Sequence, residues 1–103
     1  MKQQPIPEAA LRDEDSVEML RVWIAEQQLH CSIKVGMYQE TTKIPEGVAW
    51  GIILADITRH VAAALAAGYS ADEASVVSEI KASFLKELSG PTSDASGEFV
   101  RRH

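Results

Sequence analysis

The sequence predicts an α+β domain in which a small antiparallel β-hairpin sheet is followed by two antiparallel helices packed on one of its faces, in the order ββαα. Three observations carry that prediction. Two short runs alternate apolar and polar residues with period two, two longer stretches repeat apolar residues every three or four positions, and capping or breaking residues stand at the ends of both long stretches. A length of 103 residues suits one such domain with a modest core and is too short for two. The expected division is an irregular N-terminal arm over residues 1–15, one α+β domain over 16–90 and a flexible tail over 91–103.

In the arm, Pro5 and Pro7 stand beside four charges at positions 12–15, which leaves too little apolar surface for a strand. Within this mostly irregular arm Pro7 allows a helical turn over residues 8–11, because proline is tolerated just before a first turn. Leu20, Val22 and Ile24 then alternate with Met19, Arg21, Trp23 and Ala25, a β-branched and aromatic run that reads as a strand. Leu29, Cys31, Ile33 and Val35 alternate with His30, Ser32 and Lys34 and form a second, half-buried strand. Glu26, Gln27 and Gln28 make a connection of hairpin length that lacks the favoured Asn-Gly or Asp-Gly.

After Gly36, residues 37–42 fit either a loop or a short third strand. Ile44-Pro45-Glu46 marks a helix start, since the missing proline N–H has no partner to lose there. Trp50, Leu54, Ile57, Val61 and Leu65 follow at spacings of four, three, four and four, one continuous helical face over residues 45–67, with Gly68 as the terminating glycine. Ser70 and Glu73 form a capping box for a second helix, whose stripe is Val77, Ile80, Phe84 and Leu88 and whose end is Gly90-Pro91. The connection between the two helices is short enough to make them antiparallel neighbours. Phe99 and Val100 are the large apolar residues of the last twelve, so a flexible tail is expected.

Charge narrows the function. The net charge of -5 repels phosphate backbones, and no nucleic-acid partner is expected; Arg101, Arg102 and His103 form a small basic end of the kind that is ordinarily solvated. Cys31 is the single cysteine, which excludes an internal disulfide and a CxxC site and suits a reducing compartment; as a small buried hydrophobe it needs no chemistry. The first fifteen residues have no secretory apolar run. The apolar block at 48–55 is closed by Asp56, Arg59 and His60, far short of the roughly 20 apolar residues of a span. No membrane partner and a cytoplasmic location are the expectation.

A two-stranded sheet is marginal in water, so something must complete it: residues 37–42, the arm, or the hairpin of a second chain. A stripe of small residues, Gly51, Ala55, Ala62 and Ala66, lies beside the apolar face of the first helix and would let another backbone approach. It equally serves packing within one chain. Trp23 and Met19 with Arg21 fall on the strand face opposite Leu20, Val22 and Ile24, a composition suited to an interface unless the arm covers it. The expected interface set is therefore Met19, Arg21, Trp23, Gly51, Ala55 and Ala62, and the expected partner is a second copy.

Asp56, Arg59 and His60 share one side of the first helix. An aspartate can orient a histidine and an arginine can anchor a carboxylate, so these three with Trp50 are the candidate ligand-binding residues; the competing reading is a solvated face with weak ion pairing. With His30 as a third group the spacing falls short of H-E-x-x-H, and no metal site is expected. None of the six glycines forms G-x-G or G-x-x-x-x-G-K, so no cofactor is expected through those motifs. No catalytic residue is assigned.

The runs Arg21-Val22-Trp23-Ile24-Ala25 and Ala49-Trp50-Gly51-Ile52-Ile53-Leu54, with Asp56, Arg59 and His60 following and Pro91-Thr92 and Gly97 later, resemble a family of roughly hundred-residue bacterial proteins known as a domain of unknown function, number five thousand and seventy-six. The resemblance spans positions 17 to 97. It implies a bacterial cytoplasmic origin and a stand-alone small domain, and offers no catalytic residue to carry over. The functional expectation is a non-enzymatic, dimeric interaction or adaptor module; the rival is a binding protein for a small anionic ligand, or a minor enzyme, built on Asp56, Arg59 and His60.

Overall fold

A computed structural model describes residues 1–93 and 95–101. In chain order they form α1 (Glu8–Arg12), β1 (Leu20–Ala25), β2 (Gln28–Val35), α2 (Met37–Thr41), α3 (Glu46–Tyr69), α4 (Glu73–Ser89) and β3 (Ser96–Arg101). The class is α+β as expected, and the sheet differs. It has three strands in the order β1-β2-β3, with β1 antiparallel to β2 and β3 parallel to β2. The sheet is therefore mixed, and the chain returns to it after the helices.

The hairpin follows the alternation in the sequence. Leu20 pairs with Ile33, Val22 with Cys31 and Ile24 with Leu29, and since cross-strand partners share a face, these six make one apolar surface. Arg21, Trp23 and Ala25 lie on the other, opposite Ser32, His30 and Gln28. The turn is Glu26-Gln27, both in the left-handed region at φ 54° and 63°, which is the two-residue geometry that matches strand twist. Twist thus selects a turn that neither side chain favours.

The strand completing the sheet comes from the tail, and this corrects two expectations. Residues 37–41 are neither loop nor strand, because α2 occupies them, and Thr42 is its C-terminal cap. The tail expected to be flexible supplies β3, which lays Phe99 beside Ile33 and Val100 beside Lys34. β2 otherwise presents a full row of unpaired backbone groups at its outer edge, and β3 satisfies them. Gly97 sits at φ 141° against the Cys31 backbone, where a methyl group would overlap the Cys31 carbonyl. Arg102 and His103, the rest of the basic end, lie outside the described residues.

The helix boundaries are shifted from those expected. α3 runs through Gly68 and ends at Ser70, which adopts the left-handed conformation at φ 56°; the N–H groups of Ser70 and Ala71 both return to the Leu65 carbonyl. Ser70 is thereby spent in closing α3. The cap of α4 is instead Asp72, whose carboxylate accepts from the Ser75 N–H at 3.0 Å and from the Ser75 hydroxyl at 2.7 Å, the N-cap geometry one turn into the helix. At the other end Glu87 accepts from the Thr92 N–H and hydroxyl, each at 2.8 Å, and fixes the chain as it leaves Gly90-Pro91.

The layers do not pack as expected. α3 and α4 contact one another extensively and α3 also meets α2, whereas contact between the sheet and the α3–α4 hairpin is sparse. The expectation that both helices cover one sheet face is corrected accordingly: α2 stands between β2 and α3, and the helical hairpin packs on itself. Among the described residues, only Ala49 and Ala62 are fully buried. The radius of gyration is 15.5 Å, against about 13 Å for a compact chain of this length.

Candidate functional site

Glu46 builds the joint between sheet and helices. It opens α3 just after Pro45, and its carboxylate reaches back to the start of α2. Oε2 accepts from the Gly36 N–H at 3.0 Å, and Oε1 accepts from the N–H groups of Tyr38 at 3.1 Å and Gln39 at 3.0 Å. Trp50, one turn along α3, donates its indole N–H to Oε2 at 3.0 Å. A five-residue helix has no stability of its own, and α2 has no cap from its neighbour Gly36; the carboxylate supplies it. Partial desolvation, the largest single influence, pushes the Glu46 carboxyl up, but the bonds from Gln39, Gly36, Trp50 and Tyr38 together hold it below the ordinary glutamate value.

This arrangement takes Trp50 away from the expected ligand group. Asp56 and Arg59 form an ion pair on α3, with both side chains well exposed and His60 exposed beside them. Trp50 lies ten residues before His60, about 15 Å along the axis, and is committed to Glu46. The four residues therefore do not converge. Among the described residues no group of three His, Cys, Asp or Glu side chains could hold a metal ion. His30, on β2, pairs across the hairpin with Trp23, and its Nε2 is shielded without a hydrogen-bond partner.

The expected interface residues divide between two places. The Met19 carbonyl accepts from the Lys34 N–H at 3.0 Å and so extends the hairpin ladder, Arg21 pairs with Glu18 at 3.0 Å, and Met19, Arg21 and Trp23 are half-buried. Ala62 is completely buried in the half of α3 along which α4 returns, whereas Gly51 and Ala55 are exposed.

The structure leaves part of the apolar surface expected to form the core exposed. On the sheet, Val22 is 48% and Ile24 83% exposed, and Leu29 and Phe99 are also open. On α3, Leu54, Ile57 and Val61 are 37 to 42% exposed along the continuous face that starts at Trp50. Val48 and Ile52 of α3, with Phe84, Leu85 and Leu88 of α4, are open as well. Isolated exposed apolar residues are normal, while contiguous apolar faces mark interaction surfaces. The depressions are shallow; one is no more than the Glu79, Ile80, Ser83 and Phe84 face of α4.

The fold and its surface thus define an α+β domain with part-exposed apolar faces on the sheet and on α3. The chain belongs to a family described as a domain of unknown function (DUF5076), whose model matches residues 3–92. It is also similar, at 29% identity and a TM-score of 0.66, to a solved structure described as a "putative pyruvate dehydrogenase" from the photosynthetic bacterium Rhodopseudomonas palustris CGA009, covering 100% of this chain and 96% of that one. No curated protein matches the chain.

Proposed function

We propose that the chain is a non-enzymatic, self-associating interaction module of the bacterial cytoplasm whose working form is a homodimer. The observation that carries this reading is surface area. The chain exposes 8618 Å², whereas a folded monomer of 11.3 kDa exposes about 5,700 Å². The excess is roughly 2,900 Å², more than three times the roughly 800 Å² that each partner contributes to a standard interface. The exposed N-terminal arm and the part-exposed apolar faces of the sheet and of α3 and α4 both contribute to it. Burying such faces on a second copy supplies the core that one chain lacks.

A protein surface is favoured over a lipid one. α3 is long and apolar enough, by length and composition, to cross a membrane, but Asp56, Arg59 and His60 fall at its midpoint, where an aspartate or an arginine each cost about 2.5–3.5 kcal/mol in a bilayer. The dehydrogenase description of the structural neighbour is not carried over, since the candidate polar residues do not converge on any cleft. Native mass spectrometry and sedimentation in detergent-free buffer test the proposal. A dimer of about 22.6 kDa, twice the chain mass, that persists at micromolar concentration supports it; a monomer, or a need for detergent, overturns it.

A further inference from the structure

We infer that the two copies assemble by reciprocal hairpin exchange, the tip of one protomer's β1–β2 hairpin seating its Val22, Ile24 and Leu29 on the Leu54, Ile57 and Val61 stripe of the other's α3. The inference rests on the dimer reading above and specifies its geometry. Exposure along the hairpin face rises toward the tip: Leu20 and Ile33 at the open end are half-buried, Val22 is about half-exposed, and Ile24, paired with Leu29 next to the turn, is almost bare. A hairpin reaching into water is expected to become more polar outward. Here the polar residues at the tip are confined to the turn and its closing pair, Glu26, Gln27 and Gln28.

The two faces fit one another. Leu54 to Val61 spans about 10.5 Å along a helix, and the shorter reach from Val22 to Ile24, about 7 Å along a strand, with Leu29 beside Ile24 on β2, lies within that length. A sheet face and a helix stripe are the two surfaces that an α+β domain joins. The chain's own α3 does not supply that cover, because α2 and the Glu46 carboxylate hold the start of α3 beside the end of β2. A second copy can offer both missing surfaces at once, and a two-fold axis makes the two seats identical and the assembly closed. Packing α3 on α3, or sheet on sheet, would leave one face of each protomer uncovered.

Cys31 lies on the hairpin face opposite Val22 and is the one native thiol, so it serves as the probe. Ile57→Cys places a second thiol on the α3 stripe, and mild oxidation links thiols whose Cα atoms approach within about 7 Å. Exchange predicts a covalent dimer joined between position 31 of one chain and position 57 of the other, shown to be intermolecular by mixing isotopically light and heavy chains. It further predicts no covalent dimer when Cys31→Ser is added. Val61→Cys repeats the test one turn along, should Ile57→Cys fail to fold.

Linkage of 57 to 57 in the double variant, of 31 to 31 in the native chain, of 31 to 57 within one chain, or no linkage in an intact dimer would each overturn the exchange while leaving the dimer standing. A monomer in the native spectrum of the unmodified chain would instead remove the dimer reading itself.

Discussion

Ile24→Ala is the substitution that separates an assembly role from a folding role most cleanly. Ile24 is 83% exposed in the protomer, so its truncation removes little from the isolated chain, where surface changes stay within about 0.5 kcal/mol. In the exchanged dimer the same side chain is covered. Three carbons at about 0.8 kcal/mol each, scaled by the exposed fraction, give about 2 kcal/mol per seat, and symmetry doubles this to about 4 kcal/mol. At about 1.4 kcal/mol per factor of ten, the dimer dissociation constant rises roughly 700-fold. Sedimentation equilibrium over a dilution series reads the constant, and urea unfolding below the dissociation range reads the protomer. A constant that changes less than about fivefold would refute the reasoning, as would a large loss of protomer stability.

The hairpin turn supplies a second expectation. Replacing Glu26-Gln27 by Asn-Gly, the pair suited to two positive φ angles, should raise stability by about 1–2 kcal/mol, read as a higher urea midpoint; an unchanged or lower midpoint would contradict the turn geometry. Glu46 should confer acid sensitivity on the joint. Its folded pKa lies below the ordinary value, so its stabilisation is complete above the ordinary glutamate range and is lost as pH falls through the lower folded value. Amide exchange at Gly36, Tyr38 and Gln39 and the Trp50 indole N–H resonance should report opening in that acid window, and Glu46→Gln should abolish the pH dependence. Gly97→Ala should release β3 through overlap with the Cys31 carbonyl, lowering exchange protection along β2 while α3 and α4 keep theirs; retained β2 protection would contradict the parallel pairing.

The elements written in local periodicity were legible. Leu20, Val22 and Ile24 with Leu29, Cys31 and Ile33 gave the hairpin and its apolar face, while its register is set by the two-residue Glu26-Gln27 turn, and the Trp50 to Leu65 stripe gave α3. β3 was not legible, because a parallel edge strand needs no turn signal and Phe99 and Val100 look like tail residues until the edge of β2 is in place. α2 was equally hidden, since its cap comes from Glu46, eight residues beyond Tyr38. At the start of α4 the Ser70…Glu73 box read as the cap, but the end of α3 takes Ser70 for its left-handed closure and leaves Asp72 to cap α4. The Trp50 to Leu65 stripe was identified correctly as apolar, yet the pattern alone does not show that Leu54, Ile57 and Val61 stay 37 to 42% exposed within one chain. Asp56 and Arg59 pair on α3 with His60 exposed nearby, while Trp50 is held away from them by its bond to Glu46.

The parallel strand also sets an order of events. β2 is complete about 60 residues before β3 leaves the ribosome, and closing a loop of that length is entropically slower than forming a hairpin or a helix pair. During that interval the outer edge of β2 stands open along Leu29, Cys31, Ile33 and Val35, the alternating apolar pattern on which strands from other molecules add. The residues from Ser96 to Arg101 therefore matter in time as well as in space: until they arrive, the outer edge of β2 has no partner within the chain.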